Sequence, residues 1–181
     1  MRLSLECHPL TPMPEVDTIS LNYEWRDRGI LLLRYHVRGT ILSLDLPDKT
    51  DPSRVDELWK TTCFELFLQE TKSNGYCEFN FSPSASWAAY QFSGYRDGMT
   101  NLILPTSPVI IFESSSSHVA LEIVLDLSKL SKKTPHNAAF SAVIADNNGS
   151  KSYWALSHPS EKPDFHHKDS FSHKLKAAHS L

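Results

Sequence analysis

The chain of 181 residues is 40% hydrophobic and 22% charged, enough apolar material for one globular domain with a proper core. Eighteen basic against 21 acidic side chains leave a net charge of -3 and a pI near 6.3, without the basic excess that binding to a nucleic-acid backbone needs. No apolar run approaches the ~18 residues of a membrane helix, MRLSLECHPL is too short in apolar residues for a secretory signal, and Cys7, Cys63 and Cys77 have neither disulfide nor metal-knuckle spacing, so the expectation is a cytoplasmic protein that binds neither nucleic acid nor membrane.

The hydrophobic pattern repeats every second residue almost throughout, the mark of half-buried strands, and stretches of helical period are scarce. In chain order the first predicted strand is Ser4–Leu10, followed by Ile19, Leu21, Tyr23 and Trp25 alternating with Ser20, Asn22, Glu24 and Arg26. Then come Ile30–Val37, Ile41–Leu46, Thr62–Gln69, Tyr76–Ser82, Trp87–Phe92, Val109–Ser114, His118–Leu127, Ala138–Asp146, Ser152–Ser157 and Ser172–Lys176, separated by Gly, Pro, Asn and Ser clusters. Hairpin tips are predicted at Ser114–Ser117 and Asn147–Asn148–Gly149, a helical turn around Ser53–Trp59, and another near Asp126–Ser131 capped by Asp126 or Ser128. The tail Ala177–Leu181 is expected to fray. About ten to eleven short strands, with turn signals roughly every 8–12 residues, predict an all-β fold, a single antiparallel sandwich of immunoglobulin-like type over residues 1–181.

The stretch Trp59–Phe92 fixes its own register. A four-residue loop, Thr71–Asn74, pairs Gln69 with Tyr76, Phe67 with Glu78 and Glu65 with Asn80. Phe64, Leu66 and Leu68 then share a core face with Cys77, Phe79 and Phe81, while Cys63, Glu65, Phe67, Tyr76, Glu78 and Asn80 occupy the other. A turn at Pro83–Ser84–Ala85 is expected to bring Trp87 against Asn80, gathering Glu65, Glu78, Asn80 and Trp87 on that second face. A pyranose has apolar C–H faces for an aromatic ring and hydroxyl edges for carboxylates and amides. An ordinary wet sheet face explains the same alternation, so the pattern leaves both readings open.

Three blocks, LWKTTCFELFL, YCEFNFSPSASWAAYQFSGYRDGM and YWALSHPSEKPDFHHKDSF, resemble DOMON-like domains and, in the same superfamily, the family 9 carbohydrate-binding modules. The likeness runs in family order through Trp59 and Glu65, then Phe79, Asn80 and Phe81, then Phe171 to Leu175. It implies a sandwich of jelly-roll type whose concave face holds a sugar between two aromatics or, in other branches, a haem. Trp59 and Glu65 match the tryptophan and carboxylate that contact sugar in family 9 modules. Glu78 stands where those modules place an arginine, and the C-terminal loop offers Phe165 and histidines in place of a second stacking tryptophan.

That loop, HPSEKPDFHHKDSF, concentrates His158, Asp164, His166, His167 and Asp169. Imidazoles beside carboxylates suit a divalent metal or a general base, but adjacent residues of an extended stretch point to opposite sides, so at most one of His166 and His167 faces a given site. For the haem of DOMON-like relatives, held by a methionine and a histidine, the candidates are Met99 and His158. Arg96 sits in a turn where Glu78 or Asp164 is a suitable partner, and Glu65 with Glu78 forms the pair that glycoside hydrolysis would use. The leading expectation is a non-catalytic domain, with no required cofactor, binding a small polar ligand such as a saccharide. Its site residues are Trp59, Glu65, Glu78, Asn80, Trp87, Tyr95, Arg96, His158, Asp164, His166 and His167. The alternatives are a metal-dependent or hydrolytic enzyme built on the C-terminal His/Asp loop, and a haem-binding DOMON domain.

Overall fold

Period-two patterning resolves into twelve strands in the computed structural model, which describes residues 2–71, 73–130 and 136–175. They are β1 (Arg2–Cys7), β2 (Val16–Arg26), β3 (Ile30–Gly39), β4 (Cys63–Glu70), β5 (Tyr76–Phe81), β6 (Trp87–Phe92), β7 (Thr100–Asn101), β8 (Val109–Ser114), β9 (His118–Asp126), β10 (His136–Ala145), β11 (Lys151–Ala155) and β12 (His173–Leu175). One layer runs β1, β2, β3, β9, β8. The other runs β7, β6, β5, β4, β10, β11, β1, with β12 beside β10, and every strand pairing is antiparallel. β1 belongs to both layers, pairing Arg2–Leu5 with β2 and then Glu6 and Cys7 with β11. The result is the all-β antiparallel sandwich that the alternation predicts.

Between the layers, Ile19, Leu21, Leu33, Tyr35, Leu121 and Ile123 pack against Phe64, Leu66, Phe79, Phe81, Phe140 and Ala142. Each large side chain buried here contributes roughly 1.5–3 kcal/mol. Tyr35 brings one polar atom into this core, and its hydroxyl donates to the Glu65 carbonyl at 2.7 Å. The hairpin of β4 and β5 has the expected register, with Glu65 opposite Asn80 and Phe67 opposite Glu78.

The predicted strand Ile41–Leu46 is not one. Ile41–Ser43 forms a 3-10 turn, and Leu44 makes an isolated bridge to Asp146. Ile41 and Leu44 are buried while Leu42 is exposed, so the apolar spacing here is three, not two. The turn predicted over Ser53–Trp59 contracts to Leu58–Lys60, preceded by Glu57 in the left-handed region. Near residue 126 the Asp126 carboxylate accepts from Ser128 N–H at 2.9 Å and closes a turn instead of a helix among the described residues. Lys72, Ser131, Lys176 and the tail Ala177–Leu181 lie outside the described residues.

Trp87 is a further correction. The loop from β5 to β6 spans Ser82–Ser86, closed by Ser82 N–H to Ser86 O at 2.9 Å and by Ala85 at φ +74, and it sets Trp87 opposite Phe81 rather than Asn80. That shift of one residue turns the indole to the other face of the sheet. There it packs in the sandwich core. Trp87→Ala is therefore expected to lower stability by about 3–5 kcal/mol, read as a lower urea midpoint at unchanged m value.

Candidate functional site

The outer face of the second layer carries two rows of paired residues. Ala155, Ser141, Glu65, Asn80 and Ala88 line up across β11, β10, β4, β5 and β6, and Ala139, Phe67, Glu78 and Tyr90 form the next row. Ser141, Ala155 and Ala88 keep the Glu65 row low, while Glu78 lies between the larger Phe67 and Tyr90. Around the two glutamates stand Trp59 from the 3-10 turn, Phe92 at the end of β6, Val143 and Tyr153 from β10 and β11, Arg96 and Met99 from the loop before β7, and Pro163, Phe165 and His166 from the C-terminal loop. They wall a half-open cavity of ≈ 390 Å³ with Glu65 and Glu78 in its lining. That volume falls within the range of small-molecule sites.

Of the predicted residues, the cavity brings together Trp59, Glu65, Glu78, Arg96 and His166. Asn80 is fully buried and does not line it; its Nδ2 donates to Glu78 Oε1 at 2.7 Å, and its Oδ1 has no hydrogen-bond partner. Asp164 and Tyr95 act behind the wall as a latch. Tyr95 Oη donates to Asp164 Oδ2 at 2.6 Å and Arg96 Nη2 to Asp164 Oδ1 at 2.8 Å, so of its two expected partners Arg96 pairs with the aspartate. Only His166 of the two adjacent histidines lines this cavity, but the segment is a turn, with His167 N–H donating to Asp164 O at 3.4 Å, instead of the expected extended stretch, and both histidines border a second groove beside Tyr95 and Phe171; His167 Nδ1 accepts from Asp169 N–H at 3.3 Å. His158 also falls outside the cavity, its Nε2 donating to the Glu6 carbonyl at 2.8 Å and its ring set edge-on to His8 at 4.9 Å. Imidazole satisfied by a strand carbonyl anchors the loop instead of meeting a ligand.

Phe92, Val143, Tyr153 and Pro163 are lining residues that the sequence reading did not single out. For three of them the signal was parity. Phe92 lies two residues beyond Tyr90, Val143 two beyond Ser141, and Tyr153 opposite Val143, all on the outer face. Pro163 lies in an irregular loop, where alternation says nothing.

Burial and the neighbouring Glu78 charge push the Glu65 carboxyl well above its ordinary value, against a hydrogen bond from Ser141 Oγ at 3.1 Å. Burial likewise pushes Glu78 up to about 7, opposed by the Asn80 hydrogen bond and the charge of Arg96. His166 is driven down to about 4 by burial and then by Arg96, so it is neutral at pH 7. Burial works against the charged form of Asp164, yet the bonds from Tyr95 and Arg96 outweigh it and hold this carboxyl below its usual value. Tyr76 Oη accepts from Arg96 N–H at 3.2 Å and lies 2.7 Å from His166 Nδ1. With its backbone-side lone pair taken by Arg96 N–H, Tyr76 Oη donates to Nδ1, which leaves the imidazole proton on Nε2, 3.7 Å from Glu78 Oε2.

Among the described residues no group of three or more His, Cys, Asp or Glu side chains is placed to hold a metal ion. Met99 lines the cavity and His158 does not, so the two candidate haem ligands do not face a common space.

No family model and no curated protein matches the chain. Solved structures do. A Bacteroides uniformis protein provisionally named as carbohydrate-binding aligns with a TM-score of 0.66 at 12% identity, over 92% of this chain and 81% of its own. A family 9 carbohydrate-binding module from Caldicellulosiruptor kristjanssonii, in complex with glucose, aligns with a TM-score of 0.55 at 12% identity, over 96% of this chain and 83% of its own. The cellotriose complex of a family 9 module from the same organism aligns at 0.55 and 13%, over 95% and 82%. This chain shares their β-sandwich fold. At such identities the likeness speaks for the fold alone, and ligand chemistry has to be argued from the site.

The shifted groups predict a pH dependence of stability. Glu78 holds an extra proton in the folded chain between its ordinary 4.5 and about 7, so its contribution is present below 4.5 and lost as pH rises through 7. His166 acts oppositely: its contribution is present above 6.5 and lost as pH falls through about 4. Glu78→Gln removes the first of these, together with the part of the upward push on Glu65 that comes from the Glu78 charge, and leaves the second. The stability of this variant relative to wild type, followed by urea titration, is expected to rise by up to ~3 kcal/mol between pH 5 and pH 8.

Proposed function

We propose that this chain is a non-catalytic binding domain, related to the DOMON-like and family 9 carbohydrate-binding group, whose cavity takes a small saccharide. The observation that carries the reading is a pair of buried carboxylates lining a half-open cavity walled by Trp59, Phe92, Tyr153 and Phe165. Sugar hydroxyls leaving water need acceptors, which the carboxylates supply, and sugar C–H faces need apolar planes, which the rings supply. Trp59 is half-buried, set edge-on to Tyr90 at 5.9 Å, and so keeps surface available for stacking. The Tyr90 hydroxyl, held at 2.7 Å from Asp56 Oδ1, steadies the support beneath it. The complexes of the Caldicellulosiruptor modules with glucose and cellotriose make those two sugars the natural first probes.

Titration with glucose and cellotriose, followed by tryptophan emission and by calorimetry, is expected to give saturable binding. Trp59→Ala should weaken it about tenfold, the scale of one lost stacking contact. Unchanged emission and an unchanged melting temperature at millimolar sugar would reject the reading.

A further inference from the structure

We propose that the cavity selects saccharides that carry a free amino group over neutral ones, seating the ammonium between Glu65 and Glu78. This deepens the saccharide reading and rests on it. Glu65 uses Oε2 to accept from Ser141, while its Oε1 accepts no hydrogen bond from the described residues. Glu78 gives Oε1 to Asn80, and its Oε2 has only His166 Nε2 near it, at 3.7 Å, too far for a hydrogen bond. Both side chains line the cavity and both residues are more than nine-tenths buried, at 2% and 4% exposure. Each therefore presents an acceptor to the cavity that the protein itself does not fill.

The charges around the cavity do not balance these carboxylates. Arg96 is the full cation in its lining; it is bound to Asp164 at 2.8 Å, and its pull on Glu65 and Glu78 falls short of offsetting their burial. His166 is uncharged at neutral pH. Unpaired carboxylates in a poorly hydrated space are costly, and the ligand group that best relieves them has donors and no acceptor. An ammonium has three N–H donors. A hydroxyl has one, and its own lone pairs would face the carboxylate oxygens without a partner. The aromatic rings of Trp59, Phe92, Tyr153 and Phe165 add a second attraction for a cation that a neutral sugar does not share.

Proton balance follows from the same geometry. In the empty cavity Glu78 carries a proton for part of the time at neutral pH, because its carboxyl is pushed up to about 7. When the ammonium arrives between the two, both carboxyls are held ionised beside it, and any proton carried by Glu78 or by the likewise raised Glu65 leaves to solvent. A neutral sugar calls for no such release.

Calorimetry at pH 6.5, where the amine is charged, with glucosamine, glucose and N-acetylglucosamine as probes, tests the proposal. Glucosamine is expected to bind at least about tenfold more tightly than the other two, the scale of one charge-assisted pair. Its heat should vary with the ionisation enthalpy of the buffer, reporting proton release, and that of glucose should not. Glu78→Gln should bring the ratio of glucosamine to glucose affinity toward one, and Glu65→Gln reads the same ratio if the first variant misfolds. Saturable binding of glucose as tight as that of glucosamine overturns amine selection and leaves the saccharide reading standing. N-acetylglucosamine equalling glucosamine overturns the charge basis. A ratio unmoved in both variants overturns the assigned seat, and no binding of any of the three sugars removes both proposals.

Discussion

Ser141, Glu65 and Asn80 lie side by side on three neighbouring strands, and the rest of the site hangs on that row. It is enforced from the opposite face of the same strands. Slipping β4 by one residue would expose Phe64, Leu66 and Leu68 and turn Glu65 into the core. The large core side chains contribute roughly 1.5–3 kcal/mol each, while burying a carboxylate costs several kcal/mol even after relaxation. The packed face therefore outweighs the strained one, and the sandwich can hold two carboxyls in a poorly hydrated place without losing its register.

Above the row, Tyr76 is the point where separate segments meet. Its ring stacks on Phe92 at 4.8 Å and meets Phe171 edge-on at 5.4 Å, and its hydroxyl joins the Arg96 backbone to the His166 imidazole. Asp164 makes the parallel connection through Tyr95 and Arg96, and its Oδ1 also accepts from His166 N–H at 3.1 Å. A strand residue and a loop residue thus share the work of holding His166 over Glu78, and neither bond touches the cavity floor. Arg96 sits at φ +52, a conformation few side chains adopt, which aims its backbone N–H and its guanidinium at these two different partners.

Much of this was legible in the sequence. The parity of Glu65, Glu78 and Asn80 follows from a loop whose length sets the pairing, whereas the turn that places His166 and His167 leaves no mark on alternation. Trp87 was misplaced because its position depends on how many residues the serine-rich loop Ser82–Ser86 commits to the turn, and hydroxyl hydrogen bonds such as Ser84 Oγ to Ser82 Oγ at 2.9 Å decide that count without leaving a mark on hydrophobic alternation. Ile41–Leu46 misled for a related reason: a short apolar run reads as a strand whether its period is two or three. His158 and Asp164 sit in a loop with no period at all. Their partners, Glu6 and Arg96, are remote in the chain, and only the assembled fold brings them near.

The hydrogen bond from His158 to the Glu6 carbonyl fastens a late loop to the earliest strand, and His8 reinforces it from its Nε2 to Ser160 O at 3.3 Å. β1 waits at the seam of the two layers for a partner that is translated more than a hundred residues later. During synthesis, β4, β5 and β6, which carry the glutamates, emerge before β10 and β11 complete their layer and before the C-terminal loop can wall the cavity. The cavity is thereby completed last: Pro163, Phe165 and His166 wall it only once the C-terminal loop has been made and has docked.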